Sequence, residues 1–208
     1  ILGIVYANIA MLVYALHDTS IKSLTGGYPV LQSQFARSLV IFVVGAAFLL
    51  IWRRDLLRPR RPGLILFRGF AGLVGFSLYF MSLAHLSLVD TYALFLSGPL
   101  MIAVLSGLML KEKVRRQGWI ALVVGFVGVL VLLRPGFGTF SPWSLCALGT
   151  AAIYALSMVA TREMTRTDAS ATIVTGAALV GVVVLMPLQP FIWVPPDLAD
   201  TALMLGLG

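Results

Sequence analysis

Seven apolar runs, each near 20 residues and separated by short polar breaks, decide what this chain can become. They are roughly 1–23, 31–52, 64–86, 91–110, 118–133, 142–161 and 169–188, and an eighth begins at Leu198. About 20 largely apolar residues in a helix cross the hydrocarbon core of a bilayer. The runs are continuous rather than alternating, which excludes a closed barrel of strands. The expected fold is therefore an all-α membrane protein, a multi-span helical bundle with seven to eight spans present. Only 11% of the 208 residues are charged, against roughly 25% in a soluble domain. So few cannot cover a water-facing surface, and the lipid bilayer is the expected partner.

The punctuation agrees with these boundaries. Ser141-Pro142 reads as an N-cap followed by proline at the first helical position. Ser87-Leu-Val-Asp90 reads as a capping box that opens the fourth run. Pro195-Pro196-Asp197 ends a loop and caps the eighth, and Pro135-Gly136 is a turn. Trp52, Trp119, Trp143 and Trp193 fall at run ends, where interface anchors belong.

The net charge of +7 does not point to nucleic acid, because the cations sit in the breaks. Eleven lie after the second, fourth and sixth runs: Arg53, Arg54, Arg58, Arg60, Arg61, Lys111, Lys113, Arg115, Arg116, Arg162 and Arg166. The odd-numbered breaks hold Lys22 and Arg134. Positive charge marks the cytoplasmic side, so the N-terminus is expected there, with the protein in a bacterial inner (plasma) membrane. The single Cys146 allows no intrachain disulfide. No Gly-x-x-x-x-Gly-Lys loop and no nucleophile–base or metal-ligand set is present, so neither a cofactor, a metal nor an enzyme activity is expected.

The stretch around Tyr14-Ala15-Leu16 recurs as Tyr154-Ala155-Leu156, with Lys22 matched by Arg162. An odd number of runs separates the copies, so the second must cross the membrane in the opposite sense. Inverted repeats are a hallmark of secondary transporters, with the substrate site between the halves near the midplane.

Several stretches carry a family resemblance. Ser82–Leu132 has a small-residue end to the third run, a Pro-containing fourth run, the turn Lys111-Glu112-Lys113, then Trp119, Gly125 and Gly128. Phe35-Ala36-Arg37 and Arg68-Gly69 extend the match. The chain resembles the drug/metabolite transporter superfamily, in its EamA-type branch. That resemblance implies ten spans in two inverted halves of five. Residues 1–134 would be the first repeat and 142–208 an incomplete second one, so the chain is read as part of a longer product.

Candidate functional residues are the polar groups inside the runs. At helical spacing Tyr14, His17 and Asp18 share a face, and Asp18 is the one carboxylate well inside a run. Intramembrane charges are costly and face a cavity or a partner. Asp18 could carry a coupling proton or bind a substrate amine, or it could form an interfacial pair with Lys22. Arg37 could pair with Asp18 or hold a substrate carboxylate in a bidentate fork. Tyr79, Tyr92, Tyr154 and Ser157 are further cavity-lining candidates. Pro99, after Gly98, removes a backbone hydrogen bond and marks a hinge or a site in the fourth run. Arg68 is expected to snorkel to the headgroups, Gln32 and Gln34 to be loop-end polar groups, and Gly69, Gly72, Gly75, Gly107, Gly125 and Gly128 to permit helix packing.

The expected function is secondary transport of a small-molecule substrate, an amino acid or related compound or a drug-like molecule, by alternating access, with possible proton coupling at Asp18. A non-transporting assembly or sensor subunit is the alternative, and a membrane-embedded enzyme a more distant one. Substrate, direction and oligomeric state are not set by these residues.

Overall fold

A computed structural model describes residues 8, 12, 19, 20, 27–56, 59–109, 116–133 and 141–206. The described residues form helices, turns and loops. Labelled in chain order from Val30, the helices are α1 (Val30–Trp52), α2 (Pro62–His85), α3 (Leu88–Phe95), α4 (Gly98–Met109), α5 (Arg116–Leu133), α6 (Pro142–Met164), α7 (Ser170–Leu185), α8 (Gln189–Ile192) and α9 (Leu198–Gly206). Among the described residues five stretches are long and apolar enough to cross a membrane: α1, α2, α3 with α4, α6, and α7 with α8. The chain is an all-α, multi-span membrane protein. The first run lies largely outside the described residues.

The helix starts follow from local chemistry. Ser87 accepts the Asp90 backbone N–H at 3.0 Å and gives its own proton to the Asp90 carboxylate at 2.7 Å. The cap forms as read, with the hydroxyl rather than the Ser87 backbone N–H facing the acid. Ser141 accepts the Trp143 N–H at 3.1 Å, and Pro142 occupies the first turn of α6. Asp197 accepts the Asp200 N–H at 2.8 Å to open α9. Each satisfies a donor that the first helical turn leaves bare. At the far end of α7, a 3₁₀ turn at Met186–Leu188 carries the chain past Pro187. The Gln189 backbone N–H turns to Met186, and its side-chain amide donates to the Leu185 carbonyl at 3.2 Å instead.

The bundle is a row in which α7 sits between α1 and α2, and α2 sits between α7 and α6. The α3–α4 pair packs on the open side of α6, α5 lies beside that pair, and α9 rests on α1. Each of the three central interfaces is closed by a glycine from both helices. A Cβ at Gly69 would lie 2.5 Å from Val180 Cβ, and one at Gly176 would lie 2.8 Å from Ile65 Cγ2. Gly181 faces Ser38 and Gly45 faces Thr175 across α1–α7, while Gly75 faces Ile153 and Gly149 faces Leu78 across α2–α6. Small residues allow such approach in lipid, where no hydrophobic drive pulls helices together. Gly72, Gly125 and Gly128 do not act this way among the described residues, where a Cβ at each would meet nothing within 4 Å.

Two apolar clusters lie at opposite ends of α2. Phe80, Leu83 and Met204 form one, with Tyr28, Phe76 and Tyr79 packed around it. Ile65, Ala160, Met164 and Ile173 form the other. At the first end His85 stacks flat on Trp143, with ring centroids 3.6 Å apart.

Candidate functional site

The fourth run is broken in the middle. α3 ends at Phe95, Leu96 and Ser97 form a turn, and α4 begins at Gly98. Pro99 has no N–H, so it cannot satisfy the Phe95 carbonyl four residues earlier. The Ser97 hydroxyl donates to the Leu94 carbonyl at 2.7 Å and steadies the turn. Gly98 is buried, and a Cβ there would lie 3.7 Å from the Tyr154 ring. The break therefore lets the backbone come close to α6.

Around this break the rings converge. Phe95 lies between Tyr79 of α2, at a centroid distance of 6.0 Å, and Tyr154 of α6, at 5.3 Å. The planes are inclined by 52° and 53°, the tilted geometry that aromatic quadrupoles favour. Tyr154 lies at the midpoint of α6, yet its side chain is 38% exposed. One turn earlier than Tyr79 on the same face of α2 is Phe76, and the Arg37 guanidinium lies 5.2 Å from its ring centroid. This is a cation–π contact. Two aromatic sets thus meet α2 one turn apart, Arg37 over Phe76 and the line Tyr79–Phe95–Tyr154, which ends on a partly open tyrosine at mid-bundle.

Of the candidates named from sequence, Tyr79 and Tyr154 are brought together, with Phe95 as the link. Tyr92 lies one turn before Phe95 and is half-buried. Pro99 is the second residue of α4, and its ring is exposed. Ser157 is buried one turn beyond Tyr154, and its carbonyl accepts the Thr161 hydroxyl at 2.6 Å. Arg68 does not simply reach for headgroups, because its guanidinium donates to the Thr161 hydroxyl at 2.7 Å across α2–α6. Tyr14, His17, Asp18 and Lys22 lie outside the described residues.

The reading of Gln32 and Gln34 is corrected. Both are buried inside the bundle. Gln34 donates to the Leu73 carbonyl at 3.0 Å and accepts the Ser77 hydroxyl at 3.2 Å. Gln32 donates to the Val194 carbonyl at 2.6 Å and accepts the Val194 N–H at 2.9 Å. Two amides at the start of an apolar run are cheap there only with such partners. Phe76 and Phe95 were passed over as ordinary apolar residues. The signal for Phe95 was its place four residues before Pro99.

Further contacts tie the helix ends. The Tyr28 hydroxyl donates to Asp200 Oδ2 at 2.6 Å. Its proton is held more tightly than in a free tyrosine, first by that hydrogen bond and then by burial. At the other end of α1, the Arg60 N–H donates to Asp168 Oδ1 at 2.6 Å, and Arg61 pairs with Glu163 at 2.7 Å. Among the described residues no group of three or more His, Cys, Asp or Glu could hold a metal ion.

Comparison with known proteins gives the family of the chain. Residues 1–134 match the family described as "EamA-like transporter family". An S-adenosylmethionine uptake transporter of Rickettsia prowazekii is 22% identical over 99% of this chain and 70% of its own length. A pseudopaline exporter, CntI, of Pseudomonas aeruginosa is 26% identical over 99% of this chain and 73% of its own length. A riboflavin transporter of Vibrio cholerae is 31% identical over 58% of this chain and 41% of its own length. A protein of known crystal structure superposes with a TM-score of 0.69 at 22% identity, over 97% of this chain and 74% of that one. That likeness speaks for the fold alone.

Proposed function

Because the chain belongs to the EamA-like transporter family, we propose that it is part of a secondary transporter that moves a small organic metabolite by alternating access. Residues 1–134 are read as its first repeat and 142–208 as an incomplete, inverted second one. The observation that carries this reading is the broken fourth run, which seats Phe95 between Tyr79 and Tyr154 at mid-bundle. Irregular backbone at membrane depth is tolerated where it lines a cavity, and such breaks mark substrate sites in transporters.

The lining suggests the substrate class. Tyr79, Phe95 and Tyr154 offer ring faces, and Arg37 offers a guanidinium over Phe76. With Arg37 over Phe76, one turn along α2 from Tyr79, these side chains favour an amphipathic metabolite with a carboxylate and an apolar or planar part, which includes amino acids and their derivatives. Tyr14, Tyr92, Pro99 and Ser157 complete the proposed lining. His17 and Asp18 are its candidate polar pole, with Asp18 the candidate for proton coupling. The N-terminus is placed in the cytoplasm of a bacterial cell.

The test is a flux measurement on the whole gene product in proteoliposomes, using labelled amino acids, S-adenosylmethionine and riboflavin. Saturable flux of at least one compound is expected, reduced at least tenfold by Phe95→Ala in folded protein, on the order of one lost aromatic contact set. Absence of flux across the panel would sink the proposal.

A further inference from the structure

The 140-residue offset between Tyr14-Ala15-Leu16 and Tyr154-Ala155-Leu156 carries into the helix starts, since α1 begins at Val30 and α7 at Ser170. It also relates two contacts that share no residue. Tyr28 donates to Asp200 at 2.6 Å, and Arg60 donates its backbone N–H to Asp168 at 2.6 Å. Asp168 stands 140 positions after Tyr28, and Asp200 stands 140 after Arg60. The two contacts thus join the same pair of repeat positions, with the halves exchanged.

A second pair repeats the relation. Gln32 binds the Val194 backbone. Thr172, 140 positions later, donates its hydroxyl to the Leu56 carbonyl at 2.7 Å. Leu56 and Val194 differ from the strict offset by two residues, and both lie in the loop that follows the paired helix. Tyr28 and Gln32 lie at the start of α1, and Leu56 and Arg60 lie past its end. α1 has 23 residues, so about 35 Å separates the two sets. They hold opposite ends of the bundle.

We infer that these are two matched latches, one for each side of the membrane, and that releasing either opens its own end. The inference rests on the alternating-access reading. Such a cycle needs one end open while the other is shut, and needs the two arrangements to be close in free energy. Equal positions with different chemistry satisfy both needs. Each latch has one side-chain carboxylate, but the phenol gives one and a backbone amide the other. The balance between the two ends can therefore be set by residue choice at positions 28, 168 and 200, away from the substrate.

The test uses the whole gene product in oriented membrane vesicles, with Cys146→Ala and a reporter cysteine, Ser97→Cys, at the break in the fourth run. A membrane-impermeant maleimide is added from each side in turn. Tyr28→Phe should raise labelling from the Tyr28 side and lower it from the other, changing the ratio of the two rates about fivefold, as loss of one charge-assisted hydrogen bond would. Asp168→Ala should change the ratio in the opposite direction. The double variant should return it toward the parent value, which general destabilisation would not do. Asp200→Asn provides a second, milder release of the first latch. Labelling that rises equally from both sides, or does not change in either variant while the parent is reached from both sides, overturns the latches and leaves alternating access standing. A reporter reached from one side only, in the parent and in every variant, overturns alternating access and the latches with it.

Discussion

The Gln32 side chain and the Val194 backbone exchange two hydrogen bonds, of 2.6 and 2.9 Å, across 162 residues of sequence. The amide acts as a strand would, satisfying one donor and one acceptor of a loop that no helix completes. Removing it leaves two backbone groups bare. Gln32→Ala should destabilise the protein by about 1–3 kcal/mol, read as a lower midpoint of thermal unfolding in detergent. Gln32→Asn, one methylene short, should restore little of it. An unchanged midpoint in Gln32→Ala would show that water replaces the amide.

Glycine at the α2–α7 contact makes a steric prediction. A methyl at Gly69 would meet Val180 at 2.5 Å, inside any real contact distance. Gly69→Ala should cost about 1–3 kcal/mol through overpacking, and Gly72→Ala, one turn away and with no described neighbour within 4 Å of its would-be Cβ, should cost far less. Val180→Ala in the Gly69→Ala background should recover part of the loss. Thermal unfolding of the four proteins checks this, and equal effects at positions 69 and 72 would refute it.

The Thr91 hydroxyl is fully buried and has no hydrogen-bond partner among the described residues. An unsatisfied buried polar atom costs about 1–3 kcal/mol, whereas an apolar group of the same shape carries no such cost. Thr91→Val should therefore raise the unfolding midpoint without altering flux. A lower midpoint would show that the hydroxyl has a partner in the membrane.

The Tyr28–Asp200 bond gives a pH dependence with a definite sign. The bond raises the Tyr28 pKa above the ordinary 10.0, so the folded protein holds this proton more tightly than the unfolded chain. Its contribution is complete below about pH 10 and is lost as pH rises through the folded value. Stability of the parent should fall more steeply above pH 10 than that of Tyr28→Phe. Parallel curves from pH 9 to 11 would remove the bond from the account.

Local chemistry was legible in the sequence and distant pairing was not. Ser87, Ser141 and Asp197 cap their helices because a cap needs only the next two or three residues. Gly98-Pro99 announced the break, since a missing N–H acts four residues away in any context. Gln32 was misread because nothing near it in sequence supplies a partner, and Val194 arrives only when α1 meets the loop after α8. The glycines divide for the same reason. Gly69 and Gly75 face α7 and α6, whereas Gly72, on the same helix, faces neither, and the spacing along α2 does not say where α6 and α7 will stand. The aromatic line shows both cases. Tyr79 and Tyr154 stood out as polar atoms in apolar runs, while Phe95 became visible only between them.

The reciprocal glycines have a mechanical consequence. Large side chains that interdigitate act as a ratchet, and one helix can move past another only by whole turns. At Gly45, Gly69, Gly176 and Gly181 a side chain of the facing helix, Thr175, Val180, Ile65 and Ser38 in turn, seats in the gap that the missing Cβ leaves. The contacts of α7 with α1 and α2 can then hold their register along the helix axes, so that one half of the bundle moves against the other by tilting about these seated side chains rather than by sliding.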